Sequence, residues 1–318
     1  MILRPSVLCP VDFSDASRGA LRYAALIAAH FGARLTLVAV TDPLLGEAFE
    51  LAGGRPLEQE TVREIEDFFR TTFLTRPHGL TDVRIEVAAG KPAAEILRVS
   101  HRAACDLIVM SSHGATGFRK LFFGSTTERV LRETTVPVLI APGESAAPEE
   151  LEAAARQVGR VLIPVDFTAA TAHQTRIARG LADALDIPVV LLNVVEPVRS
   201  TSALRTRLPK IEAERRYRAE RALDELVRSM PARVLTEALV AYGEPAEEIA
   251  KIADDRDAGL IIMGLHSSPI FGPRMGSVTY RVLCLAHRLI LAVPPHRVQS
   301  PRQQPDAARQ IREVPEGV

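Results

Sequence analysis

Residues 110–125 read M-S-S-H-G-A-T-G-F-R-K-L-F-F-G-S, with glycine at Gly114, Gly117 and Gly124. An apolar run, Leu107–Met110, precedes them, and a helix-like run opens at Ser125. Ser125 stands where an N-cap is expected, and Glu128 follows at the spacing of a capping box. A loop of this kind aims bare backbone N–H groups and the positive end of a helix at one point, which suits a phosphate. Taken alone the pattern is weakly specific, because the same glycines also serve an ordinary turn before a capped helix.

A second stretch bears on the same chemistry. Val7–Asp12 is a short apolar strand that closes on Pro10, Val11 and the acid Asp12. In an open parallel sheet ligands bind beyond the carboxyl ends of the strands, where strand order reverses. In the order 3-2-1-4-5 that point lies between the first strand and the fourth, which ends at Met110 and Ser111. Asp12 and the glycine loop then share one crevice. Backbone groups of Val11 and of Val40, at the end of the second strand, can read a flat base edge. Asp12 can accept from a ribose hydroxyl or hold a metal, or it can be a turn acid at the strand–helix junction. Gly114 lets the loop approach a ribose or phosphate, and Gly124 N–H, Ser125 and Thr126 can hold phosphate oxygens. His113 and its counterpart His266 have no Cys or carboxylate cluster at ligand spacing, so His113 reads as a loop histidine near phosphate. Arg119 and Lys120 are either phosphate neighbours or an exposed basic pair. No Ser–His–Asp or Cys–His ordering marks a nucleophile, and no general base is placed for attack at phosphorus.

The elements that must position these residues alternate. Strands are expected at Val7–Asp12, Leu35–Val40, Val83–Ala88, Leu107–Met110 and Val136–Pro142. Helices are expected from Asp15 to about Ala29, at Glu58–Phe73, after Gly90, and after Ser125, with a loop between Pro43 and Pro56. Such alternation predicts parallel βαβ units under helices on both faces. The pattern then repeats. Val161-Leu-Ile-Pro-Val-Asp166-Phe167-Thr168 restates Val7-Leu-Cys-Pro-Val-Asp12-Phe13-Ser14, and Gly243-Glu-Pro-Ala-Glu-Glu-Ile249 restates Gly90-Lys-Pro-Ala-Ala-Glu-Ile96. Leu260–Met263, Gly276-Ser277 and Leu289–Pro294 complete the second copy. The expected organisation is two tandem α/β domains, each doubly wound around a five-stranded parallel sheet. They cover residues 1–145 and 159–297, with a linker at 146–158 and a disordered tail at 298–318.

Composition narrows the function classes. Lys plus Arg and Asp plus Glu balance at 39 each, and there is no Trp. That argues against a nucleic-acid partner. No apolar run approaches the ~18 residues of a membrane span. Three cysteines at unpaired spacing, two of them inside apolar runs, predict buried reduced thiols and a cytoplasmic location.

Together these motifs resemble the universal stress protein family. Its nucleotide-binding members carry G-x2-G-x9-G-[S/T] after the fourth strand and an acid ending the first. Here Ser111 replaces the first glycine, while His113-Gly114 and Gly124-Ser125 keep the spacing. The resemblance covers Val7–Ala141 and Val161–Pro294. It implies binding of ATP, with or without Mg, no established turnover, and a role in stress tolerance. It also implies that the fifth-strand edge pairs between subunits. In this chain the two copies can satisfy each other as an internal pseudo-dimer, with further homodimerisation open. The second copy departs further. It keeps Asp166, Gly264, Gly276 and Ser277, but Ser267 replaces the middle glycine, and the loop is one residue shorter and contains Pro269 and Pro273. Proline removes N–H donors, so nucleotide binding is expected in the first copy and weak or absent binding in the second. Two other readings remain open at this point: a slow metal-dependent ATPase using Asp12, and a nucleotide-free dimerisation scaffold.

Overall fold

The computed structural model describes residues 4–51, 56–73, 75–113, 124–142, 151–198, 208–265, 267–268, 272–273 and 276–295. The first copy runs β1 (Ser6–Pro10), α1 (Asp15–Phe31), β2 (Arg34–Thr41), α2 (Pro43–Leu51), α3 (Leu57–Thr72), β3 (Val83–Ala89), α4 (Pro92–Arg102), β4 (Leu107–Ser111), α5 (Ser125–Glu133) and β5 (Val138–Ala141). A connecting helix, α6 (Leu151–Val158), leads into the second copy. That copy runs β6 (Val161–Pro164), α7 (Ala169–Leu185), β7 (Val189–Val195), α8 (Leu208–Ser229), β8 (Thr236–Tyr242), α9 (Pro245–Asp255) and β9 (Leu260–Gly264). It closes with β10 (Ser267–Ser268), β11 (Gly272–Pro273), α10 (Ser277–Leu285) and β12 (Leu289–Val293).

The strands form one sheet of order β3-β2-β1-β4-β5-β12-β9-β6-β7-β8, and β10 and β11 pair separately. Each half is therefore the expected 3-2-1-4-5 parallel arrangement. The halves meet where β5 and β12 pair antiparallel, Ile140 opposite Ile290 and Leu139 opposite Leu291. Both strands are buried along their whole length, so this pairing covers two apolar edges at once. Alternate side chains feed the two faces: Leu8, Ile108, Ile140 and Ile290 share one core, and Val7, Val109, Leu139 and Leu291 the other. Each core runs across the seam between the copies.

Local chemistry explains the first helix. Ser14 caps α1 by accepting from Ser17 N–H at 3.1 Å, and Gly32 ends it in the left-handed region. Ala20, Ala24, Ala25 and Ala28 are fully buried, so small side chains let α1 lie close on the sheet.

Three elements differ from the sequence reading. Residues 43–51 are helical rather than a loop: the Asp42 carboxylate accepts from Leu44 N–H at 2.9 Å, and Pro43 occupies the first turn. A nine-residue helix interrupted by Gly46 is too short to show periodicity. Ser125 is the first residue of α5 and not its cap; Gly124 holds the cap position without a side-chain bond. Glu128 consequently closes no capping box and pairs with Arg132 instead, at 2.6 Å. The short β10–β11 hairpin in the second copy was not expected. The expected tail at 298–318 lies outside the described residues, as do Pro269 and His266.

The repeated Gly-x-Pro-Ala turn has a backbone reason. Gly90 and Gly243 have φ of 145° and 148°, and a Cβ there would approach the Glu95 or Glu248 side chain at 3.2 or 2.9 Å. The φ value is the larger obstacle, since those side chains are flexible. Gly90→Ala and Gly243→Ala should each lower unfolding free energy by about 1–3 kcal/mol, read as a shift in urea midpoint at unchanged slope.

Candidate functional site

In each copy the first and fourth strands pair near their starts and then part. Val7 and Leu8 pair with Leu107 and Ile108, and Val161 and Leu162 pair with Leu260 and Ile261. Beyond these pairs the strands splay, because their crossover helices leave to opposite faces. A cleft of about 570 Å³ opens there in the first copy. It is lined by Pro10, Val11, Asp12, Val40, Met110, Ser111, His113, Gly124, Ser125 and Thr126, which is the expected set except for Gly114. Gly114, Arg119 and Lys120 lie outside the described residues. The volume falls within the roughly 300–1,000 Å³ typical of small-molecule sites.

Hydrogen bonding assigns some of these groups and corrects others. Asp12 Oδ1 accepts from Ser14 N–H at 3.2 Å and from Ser14 Oγ at 2.5 Å. The acid is thus a turn acid as well as a cleft residue. Its turn holds Phe13 at φ 63°, and Phe13 lines the cleft while meeting Phe68 edge-on at 5.7 Å between centroids. Arg18 lies 4.4 Å over the Phe68 ring and donates to Thr71 and Thr72, fixing that wall.

Gly124 N–H, expected from the sequence to be a bare donor, is engaged within the chain. It donates to Ser112 O at 2.9 Å, pinning the loop's end against β4. The first helical bond of α5 runs from Glu128 N–H to Gly124 O. The donors at this helix end are therefore the amides of Ser125, Thr126 and Thr127. Val11 N–H is also committed, to Val38 O at 2.9 Å, which leaves its carbonyl as the group that can read a base. Ser111 is likewise bonded within the chain. Its hydroxyl turns back to donate to His113 O at 2.6 Å, and Thr127 Oγ1 donates to Ser111 O at 3.0 Å. Ser112 Oγ and His113 Nδ1 lie 2.9 Å apart. Among the described lining residues the charges are Asp12, Asp42 and Glu64, with His113 the only potential cation.

Sequence reasoning missed Phe13, Thr127 and the walls supplied by α2 and α3. Phe13 was legible in the repeated D-F-S and D-F-T; the walls were not, since they come from residues far along the chain.

The second copy's cleft is about 290 Å³ and includes Asp166 and Gly264. Val278 and Thr279 of α10 line it in place of Gly276 and Ser277. Among the described residues no helix is long and apolar enough to cross a membrane, and no three His, Cys, Asp or Glu residues are grouped to hold a metal.

The profile of the Universal stress protein family matches twice, at residues 4–142 and 157–294. This chain belongs to the universal stress protein family. As a tandem universal stress protein it matches single-copy relatives over less than half its length. Universal stress protein MJ0531 of Methanocaldococcus jannaschii is 32% identical over 142 residues, 43% of this chain and 82% of the relative. A universal stress protein of Thermus aquaticus is 34% identical over 140 residues, 42% of this chain and 96% of the relative. Over the whole fold, the crystal structure of a universal stress protein from Archaeoglobus fulgidus aligns with TM-score 0.60 at 21% identity, covering 92% of this chain and 97% of that one.

Cys9 is fully buried in β1. Burial pushes its thiol well above the usual range, and the Asp12 charge adds to that; burial likewise raises Cys105. Neither forms a thiolate readily, whereas Cys284 is half-buried. Iodoacetamide on the native protein should therefore label Cys284 first and spare Cys9 and Cys105, as read by peptide mass spectrometry.

Proposed function

We propose that the first copy binds an adenine nucleotide, ATP with or without Mg, and that the protein is a stress-response sensor or signalling module rather than a catalyst. The observation that carries this reading is the convergence on one cleft of three unlike groups: the acid ending β1, backbone at the ends of β1 and β2, and the N-terminus of α5. In this reading Val11 O and the Val40 backbone face the base. Asp12 meets the ribose, and the amides of Ser125, Thr126 and Thr127 hold phosphate oxygens. The acids at the rim oppose a bare polyphosphate, so a divalent ion or the basic pair Arg119 and Lys120 balances the charge. Residues 1–145 and 159–297 act as the two domains, and three cysteines without disulfide bonds suit a reducing, cytoplasmic setting.

Denaturing the purified protein and counting released nucleotide tests this. About one adenine nucleotide per chain is expected from the single fully equipped cleft, or the same stoichiometry on titrating an empty preparation with ATP and Mg. Thr126→Glu, which sets a carboxylate at the α5 N-terminus, should weaken ATP binding at least about tenfold through like-charge repulsion; Gly124→Glu should do the same. A chain that neither retains nor binds nucleotide sinks the reading.

A further inference from the structure

The two copies share a backbone but treat one carbonyl differently. Register pairs Val38 with Pro10 and Leu192 with Pro164, so Ala39 and Asn193 are the next residues on equivalent strands. In both copies the following amide bonds back in the same way: Val11 N–H to Val38 O, and Val165 N–H to Leu192 O. Val11 O and Val165 O are therefore equivalent acceptors at the cleft. In the second copy Asn193 Nδ2 donates to Val165 O at 2.8 Å, and Asn193 lines the smaller cleft. Ala39 lines the larger one and has nothing to donate.

A second difference points the same way. Gln174, 4% exposed, donates through Nε2 to Pro164 O at 2.9 Å and Ile262 O at 2.5 Å, bridging the gap between β6 and β9. Its counterpart in the first copy is Ala20, which carries no amide. The second copy thus meets its own strand-end carbonyls with side-chain amides, and its cleft is about half the volume, 290 against 570 Å³.

Resting on the nucleotide reading above, we propose that position 39/193 decides which copy can read the exocyclic amine of a base. Asn193 fills, from within the chain, the hydrogen-bonding place that an exocyclic amine takes against Val11 O in the first copy. An amide NH₂ and an aminopurine NH₂ are the same kind of donor, so Asn193 is an internal substitute for the ligand. Ala39 keeps the place open.

The test measures ATP against purine riboside triphosphate, which has hydrogen in place of the amine, on the full chain and on Ala39→Asn. The wild type should prefer ATP by about tenfold or more, since an unmet buried acceptor is costly. Ala39→Asn should lose that ATP preference, with the ratio falling to about one, while the analogue binds within about threefold of wild type. Asn already sits at this register in the second copy, and an unchanged melting curve checks folding. An unchanged preference in Ala39→Asn overturns the proposal, and so does an equal loss for both nucleotides, which would mean simple blockage. A wild type that binds both equally overturns it without any variant. A wild type that binds neither fails the nucleotide reading itself, and this proposal with it.

Discussion

An apolar strand cannot end a sheet in water without exposing a row of unmet backbone groups and hydrophobic side chains. β5 and β12 are both such strands, and each has a parallel neighbour on one side only. Their mutual antiparallel pairing removes both edges and makes one sheet of two. Much else depends on that contact. Because every other main-sheet pairing is parallel, the strands of the two copies run in opposite directions, and their carboxyl ends open at opposite ends of the sheet. The clefts are thereby kept apart. The outer edges β3 and β8 are handled by charge: Glu86 pairs with Arg102, and Glu237 with Arg256. Duplication within one chain has supplied the partner that a single copy would otherwise need.

Within that frame both copies retain the same junction chemistry. The acid after β1 or β6 ties the next hydroxyl and amide, and the intervening phenylalanine adopts a left-handed φ, 63° at Phe13 and 57° at Phe167. Non-glycine residues in this region are held there by their surroundings. Here an Asx turn and, in the first copy, the Phe68 ring provide the hold. Thr168 gives its hydroxyl to Asp166 as Ser14 does to Asp12, but it makes no side-chain cap bond on α7, whereas Ser14 also accepts from Ser17 N–H. Thr171 adds a third bond to Asp166 at 3.0 Å, while the corresponding Ser17 donates to Ser14 O instead.

The chain by itself determined the strand order, the duplication, the helix from Asp15 to about Ala29, and which strand ends would meet. All of these follow from local patterns: short apolar runs, caps, left-handed glycines and the restricted topology of parallel sheets. The same patterns located Asp12, Ser111 and the α5 terminus in one crevice. Tertiary structure decided what each group could do. Whether Gly124 N–H faces a ligand depends on the distance to Ser112 O, and whether Ser111 obstructs depends on a hydroxyl turning toward His113 O. The contrast between Ala39 and Asn193 is visible in the sequence but has no meaning there, because an amide 28 residues from its acceptor matters only once the strands are in register. Hydrogen bonds are short-ranged and directional, so sequence can name the partners available at a site but only the fold selects among them.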